Sequence, residues 1–291
     1  MMVSPPKRAS RKSSWISLGQ ANPRADPGVG VGAVLLERLD RGWRCLGTGL
    51  FLAVIGLGGS FLALTVFPVI VLFVRDPLAR QRRIQSVIRA SFKLYCAAIQ
   101  AFRVADIEVI GAEQLEQLRG ALVIANHPSL LDVVMIMAAL PHAQCVVKAG
   151  LLRHPFFRLT VQGAGYIPND LEPEALMAAC VATLRAGNNL IVFPEGTRTI
   201  KGHWKPFHRG FANIATLARA DVQLLRIDCE PSALHKGNPW WKVAERRTVF
   251  RLTVGQCLDI RQFLDQQYRS VAVRKLVSFI ETHYREVLGH G

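Results

Sequence analysis

The longest feature in the pattern of apolar and polar positions is a run from Cys45 to Val74. It holds 30 consecutive residues without a charge, mostly Leu, Val, Ile, Phe, Gly and Ala. About 20 such residues suffice to cross the hydrocarbon of a bilayer, so the run points to membrane insertion rather than to a buried core helix. It is too long, and starts too far from Met1, for a secretory signal. As one straight helix it would measure about 45 Å against a hydrocarbon core of about 30 Å. Tilt alone would have to reach about 48°, steeper than the usual range. Gly56, Gly58, Gly59 and Ser60 weaken helix continuity at its middle. Both flanks are basic, with Arg38, Arg41 and Arg44 before and Arg75, Arg80, Arg82 and Arg83 after. Such charges hold both ends on the cytoplasmic side. The pattern favours a helical hairpin dipping into one leaflet, with a single shorter span and an apolar overhang as the alternative.

From Arg80 to Phe102 the pattern becomes helical. Ile84, Val87, Ile88, Phe92, Tyr95, Ile99 and Phe102 recur at three- and four-residue steps, beside Arg82, Arg83, Arg89 and Lys93. A basic amphipathic helix next to a membrane segment suggests an interfacial helix, while the same stripe also suits packing on a following domain. From about Asp106 onward, short β-rich runs appear at Ile107–Ile110, Ala121–Ala125, Cys145–Lys148, Leu190–Phe193, Gln223–Cys229 and Val249–Val254. Helical stretches at Leu130–Leu140, Pro173–Ala186, Phe211–Ala220 and Ala272–Val287 lie among them. The alternation predicts an α/β fold with a central mixed sheet flanked by helices, preceded by the N-terminal membrane-associated segment. The expected organisation is a basic disordered tail over residues 1–33, a membrane-associated helical segment over 34–104 and a catalytic domain over 105–291.

Charge refines this picture. The 36 Lys and Arg outnumber the 21 Asp and Glu, giving a formal charge of +15. That balance attracts polyanions. Much of the excess borders the apolar run, and no zinc-finger, basic-zipper or RNA-binding signature is present, which argues against nucleic acid. Lys7, Arg8, Arg11 and Lys12 of the tail either touch anionic lipid or are simply solvated. The six cysteines have no metal or redox spacing, so no metal site is expected, and free thiols in a reducing compartment fit best.

Two segments can carry chemistry. In the first, the apolar run Leu122–Ala125 ends in Asn126, His127, Pro128 and Ser129, and a helix follows that includes Asp132. Pro128 disfavours a helical conformation at His127. In one unbroken helix, positions five apart would point about 140° away from each other. With His127 on the loop, the Asp132 carboxylate can fold back to one ring nitrogen and leave the other free to take a proton. The spacing Ser129-x-x-Asp132 equally resembles a helix capping box, in which His127 is only a polar loop residue. From this segment alone the two readings are at parity. In the second segment, the run Leu190–Phe193 ends in Pro194, Glu195, Gly196, Thr197, Arg198 and Thr199. A guanidinium with hydroxyl and backbone donors suits a phosphate. Lys201, Lys205 and Arg209 follow closely. The plainer alternative is a solvated turn with a Glu195–Arg198 ion pair.

Together the segments resemble the glycerolipid acyltransferase family typified by lysophosphatidate (1-acylglycerol-3-phosphate) O-acyltransferases. Asn126, His127 and Asp132 match one signature, and Phe193 to Arg198 match the other, in the same order and about 70 residues apart. The resemblance covers roughly residues 105 to 235. It implies that His127 acts as general base on a lysolipid hydroxyl and that Asp132 orients it. The acyl group would come from a thioester of acyl carrier protein or coenzyme A as co-substrate, with no further cofactor. Substrate contacts are implied for Asn126, Glu195, Gly196, Thr197 and Arg198, and for Lys148 after the run at Cys145. The implied setting is the bacterial inner membrane, with the catalytic domain on its cytoplasmic face and membrane lipid as a partner.

Two departures bear on the acceptor. Gly165-Tyr166-Ile167-Pro168 is followed by Asn169-Asp170, where the family has a basic residue. Leu224 to Pro231 also carries Arg226, Asp228 and Glu230 where an apolar strand is commoner, and Ser232–Gly237 and Trp240-Trp241 look particular to a subgroup. The competing readings are therefore an acyltransferase for another acceptor, such as an ornithine lipid or a polyene-type lipid, and a catalytically silent lipid-binding homologue.

Overall fold

A computed structural model describes residues 31–153, 155–199, 205–265 and 268–289. The basic tail with Lys7, Arg8, Arg11 and Lys12, and also Lys201, lie outside the described residues. By contacts the chain divides into residues 1–38 and a compact unit from Leu39 to Gly291. The described part of the first is helical.

The chain begins with helix α1 (Val31–Leu64), followed by α2 (Val66–Phe73) and α3 (Pro77–Ala101). The expected weak point at Gly56 to Ser60 is not where the helix breaks. It runs straight through these residues, with Ser60 Oγ donating to the Gly56 carbonyl at 2.8 Å. The interruption falls at Thr65. Pro68 has no N–H to give the Leu64 carbonyl, and its ring crowds that oxygen, so the ladder ends one turn before it. Helix α3 has a clear start. The Asp76 carboxylate accepts the Ala79 N–H at 2.6 Å, and Pro77 occupies the first helical position.

The rest of the chain supplies β1 (Asp106–Ile110), α4 (Ala112–Glu116), β2 (Leu122–Ala125), α5 (Asp132–Ala139), β3 (Ala143–Val147), α6 (Gly150–Arg153) and α7 (Pro155–Ala164). Then come β4 (Ile167–Pro168), α8 (Pro173–Arg185), β5 (Asn189–Val192), α9 (Gly210–Ala218), β6 (Val222–Glu230), β7 (Val249–Leu258), α10 (Arg261–Leu264) and α11 (Arg269–Val287). The strands form one mixed sheet in the order β1-β7-β6-β2-β5-β3-β4, in which only β6 and β7 pair antiparallel. Central strand β2 is buried at all four positions, as a parallel strand covered on both faces requires. The loops after β2, β3, β5 and β6 therefore gather at one end of the sheet, where open α/β folds build their sites.

The stripe on α3 packs on the domain. Ile84, Ile88, Tyr95, Cys96 and Ile99 are buried, and α3 lies against α5 and α7. Arg89 closes the end of α5 by donating to the Ala139 carbonyl at 2.8 Å, a cation at a helix C-terminus. Phe102, the last residue of the expected stripe, is exposed instead. Because α3 is shared in this way, the compact unit runs on across the boundary expected near residue 105. The charges of β6 do not disturb the core. Burial alternates after Leu225, so Ile227 and Cys229 point inward while Arg226 and Asp228 pair outside at 2.9 Å.

Helix α1 is fastened by a buried cation. Arg44 is 3% exposed and donates to the carbonyls of Ala244, Glu245 and Arg246 at 2.8–2.9 Å, while pairing with Asp40. Arg44→Met leaves those carbonyls without their donor, at a cost of about 2 kcal/mol. The expected result is an about 30-fold rise in opening of the segment around residue 245, read by limited proteolysis.

Candidate active site

The first segment answers the question its sequence left open by satisfying both readings with one carboxylate. Asp132 has a fully buried side chain. Its Oδ2 accepts the Ser129 backbone N–H at 2.7 Å, which is half of a capping box, and also faces His127 Nδ1 at 2.7 Å. Ser129 Oγ donates to Oδ1 at 2.5 Å and accepts the Leu131 N–H at 3.1 Å. The cap thus fixes the acid that fixes the histidine. An anionic Asp132 selects the tautomer with the proton on Nδ1 and the lone pair on Nε2. Among the described residues, Nε2 takes no hydrogen-bond partner. Burial pushes the Asp132 carboxyl above its ordinary range, and the donors His127 and Ser129 pull it back. The imidazole stacks on Phe193, with ring centroids 4.2 Å apart and planes 21° apart.

The second segment is bolted to the first through the backbone of His127. Thr199 Oγ1 accepts the His127 N–H at 3.0 Å, and the Thr199 N–H donates to the His127 carbonyl at 2.7 Å. The same hydroxyl donates to Glu195 Oε1 at 2.6 Å. Glu195 is buried, and that burial raises its carboxyl pKa, with the Thr199 hydroxyl opposing. Sequence reading gave Thr199 no role beyond an available hydroxyl; only the adjacency of β2 and β5 shows it. Gly196 has φ +65°, and a Cβ there would meet the His208 ring at 3.1 Å, so both conformation and space call for glycine.

Asn126 is engaged by the backbone of β6. Its amide donates to the Ile227 carbonyl at 2.7 Å and accepts the Ile227 N–H at 2.8 Å. Both ends of the side chain extend the β2–β6 ladder and so hold the start of the loop in place. Glu195 is likewise bonded inward, to Thr199. The polar face outside is formed by Thr197, Arg198 and Lys236. Lys236 Nζ donates to Thr197 Oγ1 at 3.1 Å, and Arg198 Nη1 donates to the Leu234 carbonyl at 3.0 Å. Sequence reading placed Lys236 in a subgroup-specific stretch without assigning it to the site. Lys148 lies exposed at the same end of the sheet, just after β3, and among the described residues no hydrogen bond joins its side chain to these groups. Next to it, Asn169 Oδ1 accepts the Ala149 N–H at 3.0 Å. The position before Asp170 thus serves the β3–α6 turn.

An apolar cavity of about 390 Å³ adjoins the first segment. Leu130 and Leu131, just before Asp132, form one wall, and Leu234, whose carbonyl holds Arg198, forms another. Phe51 and Ile55 of α1 and Tyr95 of α3 line the rest with mostly apolar atoms.

Comparison with known proteins finds similarity in sequence and in fold. Residues 106–227 match the family described as Acyltransferase. The chain is 37% identical over 121 residues to a putative 1-acyl-sn-glycerol-3-phosphate acyltransferase of Caenorhabditis elegans, covering 39% of this chain and 43% of that protein. It is 33% identical over 108 residues to the 1-acyl-sn-glycerol-3-phosphate acyltransferase of Helicobacter pylori, covering 35% and 46%. The chain thus spans less than half the length of these curated relatives. The crystal structure of the 1-acyl-sn-glycerophosphate acyltransferase from Thermotoga maritima superposes with a TM-score of 0.61 at 19% identity, over 87% of this chain and 98% of that one, which is a likeness of fold. The span from Asp106 to Ile227 thus matches the Acyltransferase family, and the curated relatives it resembles are named as 1-acyl-sn-glycerol-3-phosphate acyltransferases.

Proposed function

We propose that the protein moves a fatty acyl group from an acyl thioester of coenzyme A or acyl carrier protein to the hydroxyl of a lysophospholipid such as 1-acylglycerol-3-phosphate. The observation that carries this reading is the His127–Asp132 contact at 2.7 Å, with the turn that carries Arg198 tied to the His127 backbone through Thr199. His127 Nε2 takes the hydroxyl proton as the oxygen attacks the thioester carbonyl. The C–S bond then breaks, and the thiolate leaves with the proton returned by the imidazolium. Asp132 stabilises that imidazolium. Arg198, Lys236 and Thr197 hold the acceptor phosphate, and the apolar cavity receives an acyl chain.

The same reading puts the protein at the cytoplasmic face of a bacterial inner membrane. The helical run Gly32–Phe73 is long and apolar enough to cross a bilayer, and only 17% of its most apolar window is buried, which does not suit a soluble core helix. From Leu46 to Phe61, α1 exposes an apolar stripe at helical spacing. On its other side, Phe51 packs against Tyr95, while Ala63 shares a cluster with Ile84 and Ile88. A helix held along the length of the charged helix α3 is supported as an insertion into one leaflet beside the domain, rather than a full crossing away from it.

Reconstituted protein given an acyl thioester and a panel of lysolipids tests the acceptor, with product masses as the readout. The expected result is phosphatidate from 1-acylglycerol-3-phosphate. A second reading rests on Asn169-Asp170, which removes a cation from the acceptor side: acylation of an ornithine or polyene-type lipid in preference to lysophosphatidate would establish it. Thr199→Val tests the bolt between the segments. It is expected to lower kcat about tenfold with KM little changed, because His127 loses its fixed position. Thr199→Ser restores the hydroxyl and the rate.

A further inference from the structure

Three of the chain's five tryptophans lie at one level of helix α1. Trp43 is on the helix itself, 50% exposed, with its Nε1–H donating to the Phe102 carbonyl at 2.8 Å. Trp240 packs over Gly49, where a Cβ would come within 2.7 Å of its ring. The Trp241 carbonyl accepts the Cys45 thiol at 3.4 Å. Arg41 donates to the Val243 carbonyl at 3.4 Å, and Arg44 grips the next three carbonyls. The segment Ser232–Thr248 is therefore fastened to α1 between residues 41 and 49, a rise of about 12 Å along the axis. That interval contains Cys45, where the uncharged run begins.

The two adjoining indoles nevertheless stay open. Trp240 and Trp241 are 43% and 59% exposed and meet edge to face at 5.6 Å. Trp240 is placed by its ring against Gly49 and Trp241 by its backbone carbonyl, and both largely exposed rings sit beside the apolar stripe that begins at Leu46. Lys242 and Arg246 are exposed in the same segment. Indole rings concentrate at the level of lipid headgroups, where an apolar body and an N–H are both accommodated. Neighbouring cations add attraction to anionic lipid.

From this juxtaposition we propose that Ser232–Thr248 is a second membrane-contacting element, with Trp241 seated among the headgroups of an anionic bilayer at the depth of Cys45. The proposal rests on the membrane reading above but concerns a different part of the chain. It makes the loop that bounds the acyl cavity, through Leu234 and Trp240, a lipid-facing wall.

The test uses the full chain reconstituted in vesicles of equal parts phosphatidylcholine and phosphatidylglycerol. Trp15, Trp43, Trp204 and Trp240 are replaced by Phe so that Trp241 is the sole emitter. Lipid brominated close to the headgroup should remove at least about half of the emission, and lipid brominated near the chain end should remove much less. In the otherwise native chain, Trp241→Ser should slow acylation of vesicle-embedded lysolipid while leaving the rate in detergent micelles unchanged. Trp241 emission indifferent to every brominated lipid, in protein that floats with the vesicles, overturns the proposal and leaves the membrane reading standing. Emission that responds to an acidic acyl carrier protein but not to lipid overturns it in favour of a protein-docking loop. Protein that fails to float with vesicles overturns both.

Discussion

His127→Ala is expected to lower the acyl-transfer rate about 10²- to 10⁴-fold while leaving the protein folded. The side chain is partly exposed, and its ring contacts are the stack on Phe193 and the bond to Asp132. The backbone bonds of residue 127 to Thr199 survive the substitution, so the two segments stay joined. The loss should therefore fall on kcat, with thioester binding unaffected. A catalytically silent homologue would show no such difference, because neither form would turn over.

Asp132→Asn has the second largest expected effect, about 10²-fold or more on kcat. Geometry says which part of the aspartate is lost. The Ser129 N–H cannot reverse, so the asparagine oxygen must stay at the Oδ2 position, where it still accepts from His127 Nδ1. The amide nitrogen then faces Ser129 Oγ, which can turn to accept it. Orientation persists, and what disappears is the negative charge that stabilises the imidazolium. Stability should move the other way. Burial raises the Asp132 carboxyl pKa, so the folded state favours the protonated acid. A raised carboxyl pKa gives stability present below the unfolded value and lost as pH rises through the folded value. Asparagine mimics the protonated form. The variant should thus be at least as resistant to unfolding as the native chain near neutral pH, with the gap closing as the pH falls through that window. Thermal unfolding at several pH values checks this, and a variant that is both inactive and markedly destabilised at neutral pH would mean Asp132 is mainly structural.

Local pattern made the strands and main helices legible because each expresses its own periodicity. The four residues of β2 read as a buried strand and are one, and the stripe on α3 gave the correct helix. Its partner was less certain, since an apolar stripe looks the same whether lipid or α5 covers it. The break in the apolar run was misplaced for a local reason. Gly56 and Gly58 face open space and strain nothing, whereas Pro68 removes a ladder bond outright. The His127–Asp132 pair was legible as two competing motifs, and no sequence argument shows that one carboxylate can serve both. Other contacts are absent from any local pattern. Thr199 reaches His127 across 72 residues and Asn126 reaches Ile227 across 101, through strand neighbours whose order sequence does not reveal. The Arg44 clamp spans about two hundred residues, so the arginine looked like one more flanking charge.

The most direct measurement of the central claim is the release of free thiol from an acyl thioester by the reconstituted protein, before and after addition of 1-acylglycerol-3-phosphate. Direct transfer from thioester to bound hydroxyl, with His127 as the base, predicts that thiol release depends on the acceptor. It should match phosphatidate formation one for one and vanish in His127→Ala. Thiol release that ignores the acceptor, or that proceeds equally without His127, would contradict it.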